Sequence, residues 1–215
     1  MITIKPLVFN LFGTNTYVLS DETNECIIID PACSNQKEEE ELDNYISEKE
    51  LTPVAQIITH YHIDHIVGIR FIKNKYGIGA TAHPEGKIFW ESPSKRGFDY
   101  GLKNIEIVKP DYLINGNDKV TFGHSEFDVL YIPGHADGSI CLVNHKQHFA
   151  IVGDVIFYGS IGRTDLETGN FDLLCTGILH KIFTLKDEYT LYPGHGQKTM
   201  VGLERIHNPY INHDL

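Results

Sequence analysis

The stretch Thr59-His60-Tyr61-His62-Ile63-Asp64-His65 decides how this chain is read. Within six residues it holds four groups with metal-ligand chemistry, His60, His62, Asp64 and His65. It follows Val54-Ala55-Gln56-Ile57-Ile58, a run with the β-branched content of a strand. Neutral imidazole nitrogen and carboxylate oxygen suit zinc, iron or manganese, and a loop at a strand end lets several such groups converge. The bland alternative is a polar turn that happens to contain histidines. So dense a cluster is costly to desolvate without a cation, and that favours the metal reading.

Further along the chain the same grammar returns three times. His135 follows Tyr131-Ile132-Pro133-Gly134, Asp154 follows Ala150-Ile151-Val152-Gly153, and His195 follows Leu191-Tyr192-Pro193-Gly194. In each case an apolar strand ends in a glycine, whose freedom permits a sharp turn, and then in a ligand-type residue. Any one of them alone is an ordinary turn; their recurrence points to one shared pocket. The residues divide into an N₃ set of His60, His62 and His135, and an O,N,N set of Asp64, His65 and His195. Asp154 is the carboxylate able to bridge them. Two divalent cations held this way can share a hydroxide and clamp a carbonyl oxygen as it becomes an oxyanion, which is the equipment of a hydrolase.

Around these loops the periodicity predicts an α/β fold. Strands are expected at Leu7 to Phe9, Tyr17 to Leu19, Cys26 to Ile29, Val54 to Thr59, Gly79 to Ala82, Phe127 to Ile132, Ile140 to Asn144, Ala150 to Gly153 and Thr190 to Tyr192. Helices are expected at Ser34 to Glu50, with Ser34 or Asn35 as N-cap, at Ile66 to Lys75, from Pro84 to Trp90, near Phe171 to Ile182, and after Thr199. Glu91 to Asp111 reads as an irregular excursion. The acidic run Lys37 to Glu41 reads as a solvated helix face. Two sheets with helices packed outside them are the implied layering.

The 215 residues imply one compact domain spanning 1–215. Eighteen Lys and Arg against 29 Asp and Glu leave a net charge of −11, which repels phosphate backbones and argues against nucleic acid as a partner. Cys26, Cys33, Cys141 and Cys175 are scattered without a CxxC pair, as expected of free thiols in the cytoplasm. No apolar run is long enough to span a bilayer, and the first ten residues lack the apolar core of an export signal.

Thr59-His60-Tyr61-His62-Ile63-Asp64-His65 resembles the T-H-x-H-x-D-H signature of the metallo-β-lactamase superfamily. Pro133-Gly134-His135, Gly153-Asp154 and Pro193-Gly194-His195-Gly196 resemble its later ligand motifs in order. The resemblance spans about residues 7 to 207. It implies a four-layered αββα sandwich with the metals at one edge of the two sheets. Asp30, after Ile27-Ile28-Ile29, resembles the superfamily's early aspartate, which orients a ligand histidine rather than binding metal. Gly159-Ser160-Ile161-Gly162-Arg163-Thr164-Asp165 and Gly138-Ser139-Ile140-Cys141 are similar to compact bacterial glyoxalase II-like hydrolases, which implies cleavage of a small-molecule thioester of the S-lactoylglutathione type by a metal-bridging hydroxide. Asp64 and Asp154 would be its catalytic carboxylates. The expected cofactors are two divalent ions, zinc first, with iron or manganese as alternatives. The resemblance places Arg163 where a basic residue pairs with the thiol carrier's carboxylate; its other reading is a brace to Asp165. The larger glyoxalase II enzymes carry a C-terminal helical domain that is not expected here. Phe157, Tyr158 and Phe171 are read as core residues, with an acyl pocket as the alternative.

A mononuclear iron persulfide dioxygenase is the nearest rival, sharing the His-rich signature but using only His60, His135 and Asp154. A β-lactamase is disfavoured because Asp154 is not a cysteine and no export signal is read. An RNA-processing nuclease would need a basic surface. A non-catalytic binding module stabilised by metal would need only a closed four-ligand site, not seven donors.

Overall fold

The computed structural model describes residues 1–91 and 107–211. Strands β1 (Thr3–Phe9), β2 (Thr14–Ser20), β3 (Glu25–Ile29), β4 (Thr52–Ile57), β5 (Ala80–Ala82) and β6 (Tyr112–Leu113) form one sheet in that order. The second sheet draws on β7 (Lys119–Phe122), β8 (Ser125–Tyr131), β9 (Ile140–Asn144) and β10 (Phe149–Gly153). A small hairpin, β11 (Ile156–Phe157) with β12 (Ser160–Ile161), stands apart, and β13 (Thr190–Pro193) and β14 (Thr199–Met200) complete the second sheet in the order β14-β13-β10-β9-β8-β7.

Side-chain alternation makes the layers. Ile27 and Ile29 of β3 face Phe127, Val129, Ile140, Leu142 and Ile151 of the other sheet. Their neighbours Cys26 and Ile28 face outward onto Leu42 and Ile46 of helix α1 (Gln36–Glu48). Likewise Ile140 and Leu142 point between the sheets, while Cys141 and Val143 point to the outer helices. Strands buried on both faces read as unbroken apolar runs. Full burial of an isoleucine such as Ile27 or Ile28 contributes roughly 1.5–3 kcal/mol each, which makes the sandwich the favoured packing for these sequences.

Helix α1 starts where the Asn35 side chain accepts from Glu38 N, with Glu38 and Glu39 in its first turn complementing the helix dipole. Lys37, Glu40 and Glu41 face solvent as expected. The helix expected over Ile66 to Lys75 is instead two, α2 (Ile63–Ile66) and α3 (Ile69–Tyr76). At the break the Gly68 amide donates to the Pro31 carbonyl at 2.8 Å, a close approach only glycine permits, since a Cβ there would lie 2.4 Å from Cys33 Sγ and 2.7 Å from that carbonyl oxygen. Pro84 to Trp90 becomes a 3₁₀ turn, Pro84–Gly86, followed by α4 (Lys87–Glu91). Most of the excursion expected from Glu91 to Asp111 lies outside the described residues. Helix α5 (Phe171–Gly177) widens into a π turn, Ile178–Ile182, and α6 (Val201–His207) follows β14. No helix among the described residues is long and apolar enough to cross a membrane.

Strand direction positions the site. β3 and β4 are parallel, as are β10 and β13; β8 and β10 are each antiparallel to β9 and so run the same way. Their C-terminal ends therefore gather at one edge of each sheet. The edges are tied together by Ile140 N donating to Thr59 O at 2.8 Å and Asn15 N donating to Gly194 O at 2.7 Å.

Candidate metal centre

All seven expected ligands converge at that edge. His60, His62, Asp64 and His65 follow β4; His135 follows β8; Asp154 follows β10; His195 follows β13. Three overlapping groups bring donor atoms within 4.8 Å of one another: His60, His62 and His135; His60, His65 and Asp154; and Asp64, His65 and His195. Nε2 of His60 and His135 are 3.3 Å apart, as are Nε2 of His65 and His195. Asp154 lies between the sets, with Oδ1 3.5 Å from His65 Nε2 and Oδ2 3.6 Å from His135 Nε2 and 3.5 Å from His195 Nε2.

Each inward nitrogen is set by what holds its opposite side, because an engaged Nδ1–H leaves Nε2 as the free lone pair. His65 Nδ1 donates to Asp30 Oδ2 at 2.9 Å. His135 Nδ1 donates to the Arg163 carbonyl at 2.8 Å, and His195 Nδ1 to the Phe12 carbonyl at 3.2 Å. His60 Nδ1 meets Thr59 Oγ1 at 3.2 Å, and Thr59 in turn donates its hydroxyl to Asp30 Oδ2 at 2.6 Å. Asp30 lies behind His65, outside the three donor groups.

The glycines act in two ways. Gly134 and Gly153 have φ of 118° and 48°, left-handed conformations that a side chain would strain. Gly194 instead provides space, since a Cβ there would lie 2.2 Å from Asp154 Oδ1. For Gly194 the expectation of a special turn gives way to one of close approach.

Electrostatics separate the two sets. Burial, reinforced by His65, holds His60 well below the ordinary imidazole value, and burial with His135 beside it brings His62 down to about 3. His135 is lowered too, chiefly by burial. These three rings are neutral at pH 7 and present lone pairs. At His65 and His195 burial pulls downward but is outweighed by Asp64 and Asp154, which raise His65 well above its usual value and His195 to about 9. At Asp154 the upward push of burial is overcome by His65 and His195, so the carboxylate stays ionised. Its Oδ1 is sealed from solvent and accepts no hydrogen bond. Buried anionic oxygen without a donor is costly unless a cation satisfies it. The donor chemistry and this orphaned oxygen both fit divalent metal.

Arg163 separates from the ligand cluster. Its guanidinium forks onto Asp165, with Nε–Oδ1 at 2.7 Å and a second bond at 2.8 Å, and it is its main-chain carbonyl that reaches the centre through His135. Tyr158 and Phe171 are 55% and 43% exposed, which corrects the core reading of both; Phe157 is half-buried with its ring 6.2 Å from that of His195. The sequence reading missed Asn10, Thr14 and Asn15. Thr14 Oγ1 donates to Asp64 Oδ2 at 2.9 Å, and Asn10 and Asn15 bind neighbouring carbonyls.

The metallo-beta-lactamase superfamily profile matches residues 9–199. A probable metallo-hydrolase, YqgX of Bacillus subtilis, is 36% identical over 91% of this chain and 90% of its own. The hydroxyacylglutathione hydrolase GloC of Haemophilus influenzae is 31% identical over 98% of this chain and 99% of its own. Among solved structures, one described as BLEG-1 B3 metallo-beta-lactamase superposes with a TM-score of 0.87 at 31% identity, covering 98% of this chain and 100% of that one. The αββα layering, the strand-end cluster of histidine and aspartate, and a match across most of its length agree: the chain belongs to the metallo-β-lactamase superfamily, whose fold and metallo-hydrolase character it shares.

Proposed function

We propose that this metallo-hydrolase cleaves thioesters of the S-lactoylglutathione type, with two divalent cations, zinc first, at the seven-residue centre. The observation that carries the reading is the pair of donor sets meeting at Asp154, whose Oδ1 has no hydrogen-bond partner. His60, His62 and His135 would hold one ion, Asp64, His65 and His195 the other, and Asp154 both. Bound there, divalent cations supply an activated water near neutral pH and positive charge against a developing oxyanion.

The chain's own residues do the rest. Asp30, Thr59 and the carbonyls of Arg163 and Phe12 fix four imidazoles so that Nε2 points inward, and little reorganisation is needed when the reacting group arrives. Asp64 and Asp154 remain ionised and offer anionic oxygen to the cations. A leaving thiolate, with a conjugate-acid pKa of about 8.5, asks little of a proton donor, which suits a centre made of carboxylates and neutral or metal-directed imidazoles. Similarity to a hydroxyacylglutathione hydrolase over almost the whole chain supports the same substrate class. Arg163, paired with Asp165, contributes to a carrier-binding rim only if substrate displaces that partner. The cysteines are buried free thiols, which supports the cytoplasm as the working compartment.

The test is a panel on zinc-, iron- and manganese-loaded protein: S-lactoylglutathione hydrolysis, oxygen uptake with glutathione persulfide, and hydrolysis of a chromogenic β-lactam, included because of the likeness to BLEG-1. Thioester turnover exceeding the other two supports the proposal. Oxygen uptake without thioester cleavage, or β-lactam turnover above it, overturns it.

A further inference from the structure

The two donor sets share Asp30, which reaches His65 directly and His60 through Thr59, but their remaining braces come from different parts of the chain. His60 is held by its chain neighbour Thr59, and His135 by the carbonyl of Arg163 from the segment that follows Asp154. The second set is gripped by residues 10–15, the turn after β1 and the first two residues of β2. There the Thr14 hydroxyl, fully buried, donates to Asp64 Oδ2 at 2.9 Å, and that same oxygen faces His195 Nε2 at 3.2 Å and His65 Nε2 at 3.4 Å. Asn10 Nδ2 donates to the Asp64 carbonyl at 2.9 Å and to the Ala32 carbonyl at 3.1 Å.

The His195 loop is held from the same side. Asn15, 4% exposed, uses both amide hydrogens on the carbonyls of Pro193 (2.9 Å) and Gly196 (3.0 Å), while its main-chain N–H binds the Gly194 carbonyl. The Phe12 carbonyl takes the His195 Nδ1 proton. The turn after β1 is itself anchored by Glu38, whose Oε1 accepts from Asn10 N at 3.0 Å.

We propose that Thr14 and Asn15 are positioning residues for the second metal ion alone, so that the start of β2 sets its affinity independently of the first. This rests on the two-set reading of the centre. The physical reason is local: a hydroxyl bonded to Asp64 Oδ2 fixes the carboxylate's orientation, and an amide spanning Pro193 to Gly196 fixes the turn that aims His195. Neither contact reaches His60, His62 or His135 directly. Loss of such supporting hydrogen bonds weakens metal binding by about 10–100-fold.

The experiment titrates the metal-free full chain with zinc against a chromophoric chelator. Wild type takes two equivalents. Thr14→Val keeps its first equivalent within about threefold and binds the second about 10–100-fold more weakly, whereas Thr14→Ser, which retains the hydroxyl, restores the second to within about threefold. Asn15→Ala shifts the second equivalent in the same direction, and the first equivalent reports in each variant that the centre is folded. Equal weakening of both equivalents, or of neither, in Thr14→Val and Asn15→Ala overturns the inference while leaving the two-ion centre intact. A wild-type stoichiometry of one overturns the two-set reading and this inference with it. Thioesterase activity does not enter the measurement, so a wrong substrate assignment leaves the result interpretable.

Discussion

Replacing Gly194 by alanine is the smallest change that strikes the centre where its two sets meet. The new Cβ would lie 2.2 Å from Asp154 Oδ1, 2.7 Å from His65 Cε1 and 3.3 Å from the Gly153 carbonyl carbon. Gly194 is not among the residues with positive φ, so its backbone tolerates alanine, and the stiffer unfolded chain favours folding by about 0.4–1 kcal/mol. Against that stands overpacking, typically about 1–3 kcal/mol, because a normal contact requires roughly an ångström of movement. Asp154 has little room to retreat: Gly153 behind it is packed on Thr59, and Gly162 is packed on the Asp154 carbonyl. The net expectation is about 1–2 kcal/mol of lost stability, or a Tm lower by roughly 2–8 °C. Function suffers more, since a 1 Å displacement of a catalytic group costs on the order of 100-fold in rate and displaced ligands weaken metal binding by about 10–100-fold. Metal analysis, a thermal melt and kcat/KM on S-lactoylglutathione measure all three. A variant with wild-type metal content and a rate within threefold of wild type refutes the close-approach reasoning.

Asp30→Asn removes the charged acceptor of His65 and Thr59; both ions remain bound at saturation, affinity falls by about 10–100-fold and turnover is reduced, which metal titration and steady-state kinetics check. Arg163→Ala leaves metal content unchanged because the carbonyl that holds His135 survives, and KM for S-lactoylglutathione moves by less than about threefold because the guanidinium already has a carboxylate partner in Asp165; a selective rise of tenfold or more for carboxylate-bearing carriers reinstates direct substrate binding. Asp21 is pushed upward by burial, but hydrogen bonds from the Thr23 and Ser125 hydroxyls and the Thr23 and His124 amides outweigh it and hold its carboxyl well below the usual value. A depressed folded-state pKa contributes stability above the unfolded value near 4, lost as pH falls toward the folded one. Urea denaturation therefore finds Asp21→Asn weaker by about 1–3 kcal/mol at pH 7, with the gap to wild type closing as pH drops below about 4.

The centre was legible where its chemistry is contiguous or repeats a pattern. His60 to His65 stand together, and His135, Asp154 and His195 each follow an apolar strand and a glycine. The layers were legible because Cys26-Ile27-Ile28-Ile29 and Cys141-Leu142-Val143 are apolar on both faces, which only a strand between two packed layers requires. What stayed hidden depends on partners distant in the chain. Thr14 and Asn15 are ordinary polar residues in the sequence until Asp64 and Gly194 lie beside them. The helical pattern breaks at Gly68, whose amide turns to the Pro31 carbonyl, a partner that periodicity does not register. Arg163 invites attention to its charge, whereas its carbonyl, a group every residue has, makes the contact to His135. Strands of two residues, such as β6, β11 and β12, are too short for alternation to show.

The proposed thioester hydrolysis at a two-ion centre of seven side chains is tested by the rate of S-lactoylglutathione hydrolysis against equivalents of zinc returned to the metal-free protein. The expected rate keeps rising until about two ions per chain are bound and falls by at least about 100-fold in Asp154→Asn at the same zinc concentration. A rate that is complete at one equivalent, or an Asp154→Asn protein with near wild-type activity, contradicts it.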